Sequence, residues 1–169
     1  MKKPNYIFVI GFMASGKSTF GKRIAKELGY NFIDTDKEIE RLEGKTISQT
    51  FEENGEQYFR KLEMIFLKSI NNSENTLFST GGGMPCNQYR LNRMKKLGKL
   101  IHLEIDAKSV INRLKSAKQK RPILANLTEE ELSKKIISLL DKRTRYYDQS
   151  DITISSLSSK KVKAGEIIF

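Results

Sequence analysis

Residues 11 to 18 read Gly11-Phe12-Met13-Ala14-Ser15-Gly16-Lys17-Ser18, two glycines flanking four residues and followed by lysine and serine. Glycine lets the backbone turn its N–H groups toward an anion with no side chain in the way. Before this loop stands Tyr6-Ile7-Phe8-Val9-Ile10, a β-branched and aromatic run suited to a strand buried on both faces. After it a helix is expected from about Lys17 to Leu28, with Phe20, Ile24 and Leu28 on one face and Gly29 placed to stop it. Strand, glycine loop and helix in that order make a phosphate-binding loop. The helix N-terminus offers unpaired donors and a positive dipole end. Lys17 is expected to reach the β- and γ-phosphates and Ser18 to coordinate Mg²⁺. The loop selects a nucleoside triphosphate and leaves the acceptor open.

Working outward, the 169 residues fit one domain with one substantial core. No stretch approaches the roughly 18–20 apolar residues of a membrane span. The start, MKKPNYIFVIG, is basic and then apolar, but the apolar run is short and leads straight into the loop. It reads as the first strand of a cytoplasmic protein, not as a signal peptide. Cys86 is the single cysteine, so an intrachain disulfide and a cysteine-rich metal site are excluded. His102 is the single histidine, which excludes a histidine-rich zinc site. The formal charge of +11 admits two readings, an anionic partner or lysines decorating solvated helix faces. The basic residues are spread along the chain with no arginine run interleaved with aromatics, which speaks against nucleic acid.

Further strands are expected at Asn31 to Ile33, Thr76 to Ser79, Lys99 to Glu104 and Ile152 to Ile154. Residues 34 to 70 read as helical with breaks at Gly44 and Gly55, and Phe59, Leu62, Phe66 and Ile70 recur at helical spacing. Helices follow at about 87–96 and 106–114. Residues 115–127, KSAKQKRPILANL, lose periodicity and read as a mobile surface segment. Thr128 and Glu131 make a capping box for a helix to about Tyr146, and a polar turn and short helix close the chain. Strands alternating with helices imply a three-layer α/β fold, a five-stranded, mostly parallel sheet flanked by helices. Ligands then sit at the carboxyl ends of the strands, where the loop, the Asp34 turn and Gly81-Gly82-Gly83 should converge.

Each of those features has a plain reading and a chemical one. In Asp34-Thr35-Asp36, Thr35 with Glu38 makes a capping box and Asp36 suits a first turn. Equally, one carboxylate could hold Mg²⁺ through water and the other accept a proton from an attacking hydroxyl. Arg60, four residues after Glu56, is either half of an exposed ion pair or a fork for a substrate carboxylate. Gly81-Gly82-Gly83 is either a flexible loop or a place where backbone closely approaches a ligand. Arg121-Pro122 lies in the basic segment, where a lid arginine could close over the transferring phosphoryl group. Arg143 and Arg145 suit the end of a helix, where cations complement the dipole.

Taken together, GFMASGKST at 11–19, DTD at 34–36, GEQYFRKLE at 55–63, TGGG at 80–83, RPIL at 121–124 and KRTRYY at 142–147 resemble shikimate kinase, in the nucleoside-monophosphate-kinase-like branch of P-loop folds. The pieces are collinear and span most of the chain. The resemblance implies one kinase domain over 1–169, with a shikimate-binding subregion at 34–70 and a lid at 115–127. It implies transfer of the ATP γ-phosphoryl group to the 3-hydroxyl of shikimate, on the route to chorismate and the aromatic amino acids. ATP would be held by Ala14, Ser15, Gly16, Lys17, Ser18, Thr19, Arg113 and Arg121. Shikimate would be held by Asp36, Arg60, Gly81, Gly82, Gly83 and Arg143. Asp36 would be the base, with Lys17 and Arg121 assisting catalysis, and Mg²⁺ would sit on Ser18 and, through water, on Asp34. Arg145 is the alternative to Arg143 as the second carboxylate clamp. The expected partners are ATP and shikimate, with no nucleic acid and no membrane, and the chain is expected to be a monomer.

The rival from the same fold, another small-molecule or nucleotide kinase, would lack the Asp36 and Arg60 pairing or carry a larger acceptor insertion. A GTPase switch would need an N/T-K-x-D motif, which does not occur. A basic nucleic-acid-binding module would bind with a steep salt dependence.

Overall fold

The computed structural model describes residues 4–71, 75–116 and 127–168. Its strands are β1 (Tyr6–Ile10), β2 (Asn31–Asp34), β3 (Thr76–Ser79), β4 (Lys99–Glu104) and β5 (Ile152–Ser155). They form one sheet in the order β2-β3-β1-β4-β5, and every pairing is parallel. The chain leaves β1 toward β2 on one side, and after β3 crosses to β4 on the other. The loop after the central strand therefore lies at the point where strand order reverses, the usual ligand crevice of such sheets.

Alternation along β1 divides the core. Tyr6, Phe8 and Ile10 face one layer with Phe66, Leu67, Phe78, Leu91, Met94, Leu100, Val110, Ile136 and Tyr147. Ile7 and Val9 face the other with Phe20, Ile24, Leu77, Ile101, Leu103, Ile154 and Ile167. The first layer is covered by α3 (Ile47–Ser69), α4 (Gln88–Leu97), α5 (Ala107–Ser116) and α6 (Glu129–Tyr147), the second by α1 (Lys17–Leu28) and α7 (Gly165–Ile168). Both faces of β1 are thus buried, as its unbroken apolar run implied.

The two expected breaks are both present. Gly44, at φ 68, ends α2 (Thr35–Glu43), and Gly55, at φ 78 and ψ 171, bends α3. A Cβ on Gly55 would meet nothing within 4 Å, so glycine is needed there for its left-handed backbone and not for space. Thr128 and Glu131 form the capping box expected for α6.

One expectation fails at the start of α2. Thr35 does not cap the helix with Glu38. The N-cap is Asp34, whose carboxylate accepts the Lys37 N–H at 3.5 Å. Thr35 is the first helical residue and fully buried, and its Oγ1 accepts the Gly81 N–H at 3.1 Å. Strand β2 runs one residue further than its apolar pattern suggested, which shifts the cap by one. The Thr35 hydroxyl then meets a buried amide that would otherwise lack a partner. Glu38 pairs with Arg41 instead.

Candidate active site

The phosphate loop leaves β1 at Gly11 and enters α1 at Gly16. Gly16 is the N-cap residue, in the left-handed region, with no side chain capping the helix. No acidic residue stands in the first turn. The amide donors of that turn and the positive dipole end are therefore left facing the crevice. Lys17 is 8% exposed and its Nζ donates to the Phe12 carbonyl at 2.7 Å, folding the ammonium over the loop. Arg113 arrives from α5. It donates to the Ala14 carbonyl at 2.8 Å and to Ser156 Oγ at 3.3 Å, joining the loop to the segment after β5. A cleft lined by Glu104, Ile105, Asp106, Ser155, Ser156 and Leu157 lies along that same segment.

Beside the loop three oxygens gather from three elements. Ser18 Oγ donates to Asp34 Oδ2 at 2.6 Å and stands 3.2 Å from Ser79 Oγ. A hydroxyl, a carboxylate and a second hydroxyl are hard oxygen donors, suited to Mg²⁺ that keeps most of its waters. Among the described residues no cluster of three His, Cys, Asp or Glu could hold a metal. Ser79 was missed by sequence reasoning. It is the last residue of β3, and only the parallel register Asp34↔Ser79 brings it beside Ser18.

The acceptor side is organised by the triple glycine. None of Gly81, Gly82 and Gly83 has a positive φ, so their need for glycine is spatial. A Cβ on Gly81 would collide with the Asp36 carboxylate. One on Gly82 would stand 3.3 Å from the Met13 nitrogen and 3.5 Å from an Arg143 guanidinium nitrogen. One on Gly83 would be 2.5 Å from an Arg60 guanidinium nitrogen. Gly81 and Gly83 thus let Asp36 and Arg60 close on one short stretch of backbone next to the phosphate loop, and Arg143 lies beside Gly82 between them. Thr80 ties that stretch to β1, its N–H and Oγ1 both donating to the Val9 carbonyl at 3.1 and 3.2 Å.

Arg60 is held from two sides. Its Nε and one terminal nitrogen donate to Glu56 Oε1 at 3.2 and 2.8 Å, and the other donates to Glu63 Oε1 at 2.8 Å. Burial works against the Arg60 charge, but Glu63 and Glu56 outweigh it and raise its pKa. Glu63 is fully buried, and burial pushes its carboxyl above the ordinary range against the pull of Arg60 and Arg90. Arg90 donates to the carbonyls of Met84 at 2.7 Å and Gly83 at 3.3 Å, bracing the far end of the glycine stretch. The expected Glu56–Arg60 pair exists, but it is one edge of a partly buried network and not an isolated surface contact. Glu63 closes the GEQYFRKLE motif without an assigned role and Arg90 carried no sequence signal, because each matters only through its tertiary neighbours.

Arg143 and Arg145 separate clearly. Arg143 is 8% exposed and its guanidinium lies over the Phe12 ring, 5.5 Å from its centroid. Arg145 is exposed and turns to its neighbour Tyr146. Arg121 and residues 117–126 of the expected lid lie outside the described residues. Ala14, Ser15, Gly16, Lys17 and Ser18 are together on the loop, with Thr19 exposed in the first turn of α1.

A family model described as "SKI: Shikimate kinase" matches residues 13–168. A curated shikimate kinase of Persephonella marina is 41% identical over 150 residues, covering 89% of this chain and 88% of its own length. The crystal structure of shikimate kinase from Bacteroides thetaiotaomicron shares 39% identity and a TM-score of 0.84, covering 89% of this chain and 86% of that one. Shikimate kinase from Acinetobacter baumannii, solved in complex with shikimate, shares 29% identity and a TM-score of 0.82 over 92% of this chain and 89% of that one. The parallel five-stranded fold, the loop at its switch point and these matches agree: the chain belongs to the shikimate kinase family, whose members are ATP-dependent kinases.

Proposed function

We propose that the crevice between the phosphate loop and the triple glycine transfers the γ-phosphoryl group of ATP to the 3-hydroxyl of shikimate, giving shikimate 3-phosphate and ADP. The observation that carries this reading is the convergence of Asp36, Arg143 and Arg60 on Gly81, Gly82 and Gly83. Shikimate is a small carboxylate bearing ring hydroxyls, and it asks for guanidinium groups at one end and a carboxylate at the other. Arg60 and Arg143 supply the first and Asp36 the second.

The loop amides and Lys17 hold the β- and γ-phosphates, and Arg113 supports the loop through Ala14. Asp36 accepts the proton of the attacking hydroxyl and keeps that oxygen aimed in line with the phosphorus. Ser18 and Asp34, with Ser79 beside them, would hold Mg²⁺, which neutralises charge on the phosphate oxygens. Phosphoryl transfer asks a protein chiefly for positioning and charge stabilisation, and these residues offer both. Arg60 and Arg143 fix the carboxylate end of the ring and thereby which hydroxyl meets Asp36.

The decisive experiment is a coupled ADP-release assay with purified protein, Mg-ATP and shikimate, with nucleoside monophosphates and gluconate as competing acceptors. Shikimate-dependent ADP release that the other acceptors do not match is the expected result. Equal or greater turnover with another acceptor would sink the assignment.

A further inference from the structure

Resting on the reading of Arg143 as a carboxylate clamp, we propose that Tyr147 is a positioning residue that sets the height of Arg143 against the glycine stretch. The described residues of α6 that are buried are Ile136, Arg143 and Tyr147, a single stripe down one face. Arg143 and Tyr147 are four residues apart and point the same way. The Tyr147 hydroxyl donates to the Gly82 carbonyl at 2.7 Å. Arg143 approaches the same residue, with a guanidinium nitrogen 3.5 Å from where a Gly82 Cβ would stand. The tyrosine bond therefore registers the helix against Gly82, and the arginine one turn earlier on the same face lies beside that residue.

The ring is also fixed from behind. Tyr147 is 1% exposed, and His102 on β4 stacks against it with centroids 5.0 Å apart and planes at 27°. Burial raises the phenol well above its ordinary pKa, so it stays protonated and donates at neutral pH. The Cys86 thiol reaches the same carbonyl at 3.4 Å, a weaker donor that could not replace the phenol. A guanidinium that must meet a carboxylate bidentately tolerates little displacement.

The test is a double-mutant cycle with Tyr147→Phe and Arg143→Ala, reading the KM for shikimate, the KM for ATP and thermal midpoints. Tyr147→Phe keeps the ring and its stack. It is expected to raise the shikimate KM about five-fold, the effect of one lost hydrogen bond, with the ATP KM unchanged. In the Arg143→Ala background the same change should move the shikimate KM less than about two-fold, because the group being positioned is gone. Replacement of Tyr147 by 4-aminophenylalanine retains a donor and should restore the wild-type value. An unchanged KM in Tyr147→Phe overturns the proposal, as does an equal effect in both backgrounds or failure of the amino replacement to restore binding. If Arg143→Ala itself leaves the shikimate KM unchanged, the clamp reading fails and takes this inference with it. A large Arg143→Ala effect beside a silent Tyr147→Phe removes the inference alone.

Discussion

The two halves of the crevice are built by different means. The nucleotide side is eight consecutive residues, Gly11 to Ser18, whose backbone donors and one lysine are arranged by local conformation. The proposed acceptor side is assembled from residues 36, 60, 82 and 143, carried on two helices besides α2 and on the loop after β3. The first is local and sequence-encoded, and a single strand-to-helix turn is enough to make it. The second depends on long-range packing, and its tolerance is set by the space that three glycines leave open. Damage to the first half should therefore abolish chemistry for any acceptor. Damage to the second should weaken shikimate while leaving ATP untouched.

The largest expected effect breaks the local half. Lys17→Ala removes the ammonium that folds over the loop, and turnover should fall about 10³-fold, the scale of losing a charge-stabilising donor. Steady-state ADP release measures it, and near-normal turnover would contradict the phosphate role. Asp36→Asn comes next. It preserves size but not basicity, so kcat should drop about 10²-fold or more while ATP affinity, read by calorimetry, stays as in the wild type. Normal turnover there would remove Asp36 as the base.

Gly83→Ala sharpens the comparison directly. The added Cβ would stand 2.5–2.7 Å from the Arg60 guanidinium atoms, the far end of a long side chain, so the arginine and not the backbone should yield. We expect the shikimate KM to rise roughly ten-fold with the ATP KM and thermal midpoint nearly unchanged, because a displaced clamp costs orientation and not folding. A shikimate KM equal to wild type would show that Arg60 does not act from this place.

The smallest effect concerns the seam between the halves. His102 lies beneath the loop, stacked on Tyr147, its Nδ1 buried with no hydrogen-bond partner among the described residues. Burial holds its pKa below the ordinary value, opposed by Glu104 and Asp148 and assisted by Lys17. The unfolded chain takes up a proton near pH 6.5 while the folded one resists. Stability should therefore fall as pH drops below about 6.5, and above it this residue contributes no pH dependence. His102→Phe should lose less thermal stability than the wild type between pH 7.5 and 5.5. An identical loss in both proteins would assign the acid sensitivity elsewhere.

The parts that were legible were the ones whose physics is local. The strand before the loop, the αL stops at Gly29 and Gly44, the bend at Gly55 and the Thr128 capping box all depend on a few neighbouring residues. Asp36, Arg60 and the triple glycine were visible as candidates, but each also had a bland reading until folding placed them together. Thr35 was misread because its capping pattern is local while its actual partner, the Gly81 amide, is 46 residues away. Ser79 and Arg90 had no signature, and Glu63 and Tyr147 stood inside the GEQYFRKLE and KRTRYY motifs with no role of their own, since an ordinary strand serine or helix tyrosine gains a role only from what it faces.

Residue order alone is enough to specify a triphosphate loop between a buried strand and a helix, because glycine conformation and helix-end donors act within one turn of chain. It also specifies the alternation that buries β1 on both sides. Which arginine of KRTRYY enters the crevice, and why three glycines stand in a row, follow only from the packed fold. Arg143 faces inward and Arg145 outward because α6 lays one stripe on the sheet. Gly81 and Gly83 are required because Asp36 and Arg60 approach their backbone more closely than a Cβ would allow, while at Gly82 the tight neighbour is the Met13 nitrogen and Arg143 lies at ordinary contact distance. Distances between groups so far apart in the chain are set by tertiary packing, and the proposed recognition of the acceptor rests on such distances.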